Sequence, residues 1–153
     1  MGIDAIYNAK ILDYAGNIAR IGRLEQPDGT AKAHSKLCGS TVVVDVAMRD
    51  GAVSDYAHDV KACALGQAAA AIMAENVIGA TVDELRSAKE QLRAMLKDHG
   101  PAPDGRFAAL EFLMPVRDYK ARHASTMLAF DATLKAAEHA LAEAPALAVE
   151  SAE

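Results

Sequence analysis

The sequence predicts an α+β fold in which a small three-stranded antiparallel sheet packs against a layer of helices. Between about Arg23 and Val60, the turn signals QPDGT, CGS and RDGAV separate short segments rich in valine and alternating residues. After Cys63, alanine-rich and amphipathic helical patterns continue almost to the end of the chain. Strands followed by helices within 153 residues indicate one domain with the helices on one side of the sheet.

The best strand signal is TVVVDVAM, and the RDGA segment after it predicts a hairpin turn. Asp45, within this strand, is interpreted as a solvent-facing residue, with a carboxylate at the rim of a site as the alternative. Four histidines in polar contexts are predicted to lie at the surface. They are His34, His58, His99 and His139.

Apolar periodicity and end signals predict five helices. They are residues 3–15, 65–79, 81–100, 107–116 and 118–143. Thr81 and Glu84 have the spacing of a capping box at the start of the third helix. The last residues have no strong pattern, so we predict a single domain over 1–144 and a flexible tail over 145–153.

Charge and hydropathy exclude several classes of partner. The net charge is −5 and the 16 basic residues are spread along the chain, which predicts no binding to nucleic acid. No apolar run approaches the roughly 20 residues that span a bilayer, and the N-terminus lacks the apolar core of a secretory signal. We therefore expect a cytoplasmic protein without a membrane partner, in which cysteines stay reduced or bind metal.

The chain has two cysteines, 25 residues apart. Cys38 lies in a turn before the best strand, and Cys63 lies where the third strand gives way to a helix. Helix N-terminal amides and the nearby Lys61 favour the thiolate form of Cys63. If the two strands between the cysteines pair as a hairpin, both cysteines lie at its open end. From the residues alone they are two inert side chains, a redox pair, or part of a metal site.

Four segments resemble parts of the IscU, SufU and NifU-type scaffolds for iron-sulfur cluster assembly. LCGS is similar to the first cysteine motif of that family, and KACALGQAAAAIM to the second, in the right order and at the right spacing. HASTMLAFDATLKAA resembles the third, and the opening IYNAKILDYAGNIARIGRLEQPDGTA resembles the first helix and the segment after it. The resemblance extends from the first helix to about Ala140 and implies the same α+β fold.

In the family, three cysteines and an aspartate hold zinc or a nascent iron-sulfur cluster, or receive persulfide sulfur. The resemblance matches Cys38 to the first cysteine and Cys63 to the second. The third cysteine is replaced by Ser125 and the aspartate by Ser40, and hydroxyls are poor ligands for zinc or ferrous iron. His123 is a candidate substitute ligand, with a solvated helix-face histidine as the alternative.

A basic residue also precedes the third cysteine by three places in SufU-like members, and Arg122 is its match and a supporting residue. The resemblance implies a scaffold or sulfur acceptor rather than an enzyme, and it leaves open whether the protein stimulates a desulfurase. The implied partners are a cysteine desulfurase and downstream cluster acceptors. With two thiols in each chain, a cluster shared by a homodimer is one arrangement that supplies four ligands.

Two alternatives remain beside this hypothesis. The first is a divergent binding protein of the same fold that docks to a cysteine desulfurase or another partner without chemistry, and the lost ligands motivate it. The second is a thiol redox enzyme that forms a disulfide between Cys38 and Cys63, although the chain lacks a Cys-x-x-Cys motif.

Overall fold

The computed structural model describes residues 7–36 and 39–152, with side chains described as far as residue 142. Its strands and α-helices are β1 (Gly29–His34), β2 (Thr41–Arg49), β3 (Ala52–Lys61), α1 (Ala9–Gly16), α2 (Ala64–Asn76), α3 (Val82–Lys97) and α4 (His123–Ala152). Two 3-10 helices, Gly105–Asp118 and Lys120–Arg122, connect α3 to α4. The described chain thus has the predicted α+β architecture.

The sheet is antiparallel and three-stranded, as predicted, and its strand order is β1-β2-β3. The turn between β2 and β3 contains Asp50 and Gly51, whose φ angles are 55° and 80°. Two successive positive φ angles are typical of the tight hairpin turn that the RDGA segment predicts. A bulge between Ala47 and Met48 shifts the register near this turn. At the opposite end of the hairpin, Thr41 pairs with Lys61.

The core lies between one face of the sheet and the helices. Val42, Val44 and Val46 alternate along β2 and are fully buried, as expected for a strand with one face in a core. Helix α4 packs against β1, β2, α2 and α3. Helix α2 is buried along most of its length, and its run of alanines lets α1, α4 and the longer 3-10 helix approach it closely.

The predicted helices are present, but several begin or end at other residues. Helix α1 ends at Gly16, one residue past the predicted end, and begins at Ala9 rather than at residue 3, where Asn8 caps it by accepting a hydrogen bond from the backbone amide of Ile11. Helices α2 and α3 end at Asn76 and Lys97, three residues before their predicted ends. In α3, Thr81 and Glu84 form the predicted capping box. The final helix begins at His123 rather than at residue 118, and its backbone remains helical through the predicted tail to Ala152.

The predicted surface positions of Asp45 and His58 are wrong, because both residues are fully buried. The Asp45 carboxylate accepts hydrogen bonds from the guanidinium of Arg23, the hydroxyl of Thr30 and the backbone amide of Leu24. Burial by itself would raise the pKa of Asp45, but these hydrogen bonds outweigh it and hold that pKa below its ordinary value. The carboxylate is therefore a structural anchor for the segment before β1.

His58 lies opposite Val44 in the sheet, and its Nε2 makes a 2.8 Å hydrogen bond with the carbonyl of Ala19. The segment around Arg20 also pairs with β3 through the backbone of His58, which covers this edge of the sheet. Burial lowers the pKa of His58. His34, His99 and His139 are exposed, as predicted. In the part of the chain that the structure describes, no helix is long and apolar enough to cross a bilayer.

Candidate functional site

The candidate site lies at the open end of the β2–β3 hairpin, beside the start of α2 and the loop from β1 to β2. The register of Thr41 with Lys61 places the start of β2 beside the end of β3, and Cys63 follows two residues later. The loop from β1 to β2 closes at this end through hydrogen bonds that join Ser35 to Gly39 and Ser40. Cys38 itself lies outside the described residues, between these anchors of the loop.

Cys63 is the N-cap residue of α2, which is where the sequence places it. Its backbone is extended, with φ −68° and ψ 173°, and its carbonyl accepts the first hydrogen bond of the helix from Gln67 at 2.8 Å. Its side chain makes no capping hydrogen bond, so the sulfur is left for other contacts. Cys63 is a free, half-buried thiol whose Sγ donates to the Oγ of Ser125 at 3.5 Å.

Ser125 lies in the first turn of α4 and is 2% exposed. Its hydroxyl donates to the carbonyl of Arg122 at 3.2 Å while its oxygen accepts from Cys63. The structure thus brings together the position of the second cysteine motif and that of the third. A neutral hydroxyl in this place is a weaker metal ligand than a thiolate would be.

Gly66 permits the close approach of α2 to α4 and was missed by the sequence reasoning. A Cβ atom at this position would lie 3.1 Å from the carbonyl oxygen of Ser125 and 2.8 Å from the Cβ of Ala62. A glycine that interrupts an alanine-rich helix pattern is the signal that could have identified it, because such a glycine often marks a close backbone contact.

Ser40 is 4% exposed and its carbonyl accepts a hydrogen bond from the amide of Ser35. It therefore helps to close the loop that contains Cys38. Arg122 is half-buried, and its carbonyl accepts hydrogen bonds from the hydroxyls of Ser125 and Thr126. This backbone contribution positions the first turn of α4, whereas a supporting role of the Arg122 side chain stays a prediction.

His123 is neither solvated nor directed toward Cys63 as a free ligand. It is 3% exposed, and its Nε2 lies 3.1 Å from the carbonyls of both Val116 and Arg117. Although α4 begins later than predicted, His123 and Ser125 both belong to it, and residues two apart are rotated by about 200° around a helix. The expectation of a solvated histidine is wrong, and the packing of Nε2 gives no support to His123 as a ligand.

The donor set decides which metals this site could hold. Among the side chains that the structure describes, in residues 7–36 and 39–142, no group of three or more His, Cys, Asp or Glu is arranged to bind a metal ion. Cys38 would add one thiol to that of Cys63, and the other two matched positions are serines. A closed zinc site needs four such ligands, so the residues of one chain do not fit resident zinc.

Comparisons with known proteins agree with this geometry. The sequence model of the NifU-like N terminal domain matches residues 6–126. A crystal structure of a nitrogen-fixing NifU-like protein (N-terminal) from Brucella abortus is 60% identical, with a TM-score of 0.90 over 92% of this chain and 98% of that one. The iron-sulfur cluster assembly scaffold protein IscU of Thermotoga maritima is 28% identical over 132 residues, which are 86% of this chain and 92% of the relative. FiSufU of Fervidobacterium islandicum AW-1 shares the fold at 20% identity, with a TM-score of 0.81 over 89% of this chain and 99% of that one. The chain therefore belongs to the NifU-like N-terminal domain family.

Proposed function

We propose that this protein is a scaffold for iron-sulfur cluster assembly, and that Cys38 and Cys63 receive sulfur or hold the nascent cluster. The observation that carries the proposal is the free thiol of Cys63, which contacts Ser125 at the end of the sheet where the Cys38 loop closes. The family relationship supports it, since a relative that covers most of the chain is a cluster assembly scaffold. The cluster is cargo that the protein accepts and passes on.

Sulfur transfer to either cysteine needs no external oxidant. The cysteine thiolate attacks the terminal sulfur of a persulfide on the donor, and a new sulfur-sulfur bond forms. The sulfur-sulfur bond of the donor breaks, and the donor cysteine leaves as a thiolate. One persulfide is consumed and one is formed, so electrons balance. The side chain of Cys63 makes no capping hydrogen bond, so its sulfur is available for this attack.

The number of thiols suggests a cluster shared by two copies of the chain. Each chain has only Cys38 and Cys63, and a 2Fe-2S or 4Fe-4S cluster is usually held by about four cysteine thiolates. Two chains supply that number, whereas one chain would have to use the hydroxyls of Ser40 and Ser125. A homodimer that forms around the cluster is therefore part of the proposal.

The proposed partners are a cysteine desulfurase, which donates the sulfur, and acceptor proteins that take the finished cluster. In this role the protein carries intermediates and does not turn over a substrate of its own. We place it in the cytoplasm, where thiols stay reduced. Stimulation of the desulfurase is a separate property that a desulfurase assay with and without this protein would measure.

Anaerobic reconstitution with ferrous iron and sulfide tests the proposal. We expect visible absorption bands of a cluster, about one iron per chain for a 2Fe-2S cluster shared by two chains, and a dimer by size exclusion. Cys38→Ala and Cys63→Ala should each lose the bound iron. If neither variant loses iron, the assignment of the two cysteines as ligands is wrong.

Ser125→Cys tests the geometry of the site more directly. It places a third sulfur beside Cys63, where the two side chains are now 3.5 Å apart. We expect this variant to retain its cluster longer against a chelator than the wild type does. Ser87→Cys is the matched control, because it adds a cysteine at an exposed position on α3. Equal retention by the two variants would show that the α2–α4 junction is not the cluster site.

A second candidate function is a divergent binding protein that docks to a desulfurase without accepting sulfur. The buried serines at two ligand positions favour it, since Ser40 and Ser125 are 4% and 2% exposed and neither can replace a charged ligand. Incubation with a desulfurase and radiolabelled cysteine separates the two functions. Binding of the desulfurase together with labelled sulfur on Cys38 or Cys63 supports the scaffold, whereas binding without label supports the second candidate.

A further inference from the structure

A basic cavity lies beside the start of α4, where His123 contributes to its wall. Its volume is about 290 Å³, and five of its six lining residues are basic. The lining residues are Leu96, Lys97, His99, Arg117, Lys120 and His123. His123 and Ser125 point to different sides of α4, so this cavity is separate from the contact between Cys63 and Ser125.

The cavity concentrates positive charge in a protein whose net charge is −5. None of its lining residues is acidic. The acids nearest in sequence to the lining are Asp98 and Asp118, and both are exposed. Asp98 forms an ion pair with Arg93 at 3.0 Å, so it does not neutralise the cavity. Three permanent cations and two histidines therefore face a common space.

Arg117 has a donor inside the fold that lacks an acceptor. Its Nη2 donates to the carbonyl of Gly100 at 2.9 Å, which holds the guanidinium in place. Its Nε is buried and has no hydrogen-bond partner among the described residues. Because that nitrogen has almost no solvent-accessible surface, it does not face the cavity, and Arg117 contributes to the cavity wall through the rest of its guanidinium and its permanent charge.

His99 occupies a backbone conformation that usually belongs to glycine. It follows the C-cap of α3 with a φ angle of 55°. The hydrogen bond from the amide of Gly100 to the carbonyl of Ala94 completes the end of this helix. Glycine is the common residue at this left-handed position because it has no Cβ. A histidine here accepts backbone strain and places an imidazole in the cavity wall.

We propose that this cavity binds a small phosphate-bearing molecule. A phosphate has oxygens that point in several directions, which suits donors that arrive from α3 and from both 3-10 helices. A guanidinium whose Nη2 is held by one hydrogen bond can still offer its Nη1 to such an oxyanion, and lysine supplies point charge. The proposal goes beyond cluster assembly and does not depend on a bound metal or cluster.

Titration of the full-length, reduced protein in a chloride buffer tests this site. Inorganic phosphate and ADP are the probes, and calorimetry or amide chemical shifts report binding. We expect saturable one-to-one binding of at least one probe. Similar affinities for the two probes would show that the phosphate group alone is enough for binding. Much tighter binding of ADP would show that the ligand is a nucleotide.

Two lysine variants give the matched comparison. Lys120 lines the cavity, whereas Lys135 is exposed on α4 elsewhere, and both lose one positive charge on substitution by alanine. We expect Lys120→Ala to weaken binding at least about tenfold and Lys135→Ala to leave it nearly unchanged. Far-UV circular dichroism checks that both variants are folded. No saturation by either probe up to about 10 mM, or equal effects of the two variants, would overturn the proposal.

Discussion

Substitution of Gly66 by alanine tests whether the close contact between α2 and α4 builds the site. The added Cβ would lie 2.8 Å from the Cβ of Ala62 and 3.1 Å from the carbonyl oxygen of Ser125. Carbon atoms in optimal contact are about 3.5–4.0 Å apart, so the first contact is too short by at least about 0.7 Å. The oxygen belongs to the backbone of α4, which cannot turn away as a long side chain would. The starts of α2 and α4 must therefore separate.

The expected loss of stability is the difference between two effects. Overpacking of a well-packed site costs about 1–3 kcal/mol. Alanine has a better helix propensity than glycine, which offsets up to about 1 kcal/mol. We expect Gly66→Ala to lower the free energy of unfolding by about 1–2 kcal/mol. The 3.5 Å contact of Cys63 with Ser125 should also break, because these two residues lie at the starts of the two helices that separate.

Urea unfolding followed by circular dichroism measures the stability. The rate at which a thiol reagent labels Cys63, in a Cys38→Ala background, reports the contact with Ser125, and we expect faster labelling. Gly16→Ala is the control, since no atom lies within 4 Å of a Cβ at Gly16 near the end of α1. If the two alanine variants are equally stable and Cys63 is labelled at the wild-type rate, the reasoning about this contact is wrong.

Three further substitutions test the packing and the pH dependence of the fold. Gly29→Ala would place a Cβ 2.7 Å from the backbone nitrogen of Ala140 in α4. We therefore expect urea unfolding to show a loss of at least about 2 kcal/mol, and a variant as stable as the wild type would refute this contact. Arg23→Ala removes two hydrogen bonds to buried Asp45, so we expect a lower free energy of unfolding at pH 7, with an effect that solvent reduces because the Arg23 side chain is 55% exposed. Because the pKa of Asp45 is lowered in the folded state, this loss should persist down to the ordinary aspartate range and shrink as the pH falls below it, and a constant loss would contradict it. Because the pKa of His58 is lowered in the folded state, the unfolded chain takes up a proton at this residue more readily than the folded protein does. The free energy of unfolding should therefore fall as the pH drops through about 6.5. His58→Gln should flatten this pH dependence between about pH 7.5 and 5.5.

Local signals in the sequence were sufficient for most of the elements. The capping box at Thr81 and the Asp50-Gly51 turn act through neighbouring residues, so both could be predicted. The 3-10 helix Gly105–Asp118 could have been identified as well. Its buried residues follow at every third position, which is the period of a 3-10 helix rather than of an α-helix. They are Phe107, Leu110, Leu113 and Val116.

Burial of polar residues could not be predicted in the same way. The Asp45 carboxylate and the His58 imidazole are polar groups that would ordinarily face solvent. Each is covered by a segment that is distant in sequence. Arg23 bonds to Asp45, and the carbonyl of Ala19 bonds to His58. Such contacts form between residues more than 20 positions apart and leave no local pattern.

The sequence by itself determined the α+β class, the hairpin, and the position of Cys63 at the start of a helix, because these depend on periodicity and on end signals within a few residues. Only the tertiary structure decided that Cys63 contacts Ser125, and that His123 packs against the carbonyls of Val116 and Arg117. The physical reason is that a side chain's neighbours depend on where each helix begins and how closely two helices approach. Here those are decided by the late start of α4 and by the missing side chain of Gly66.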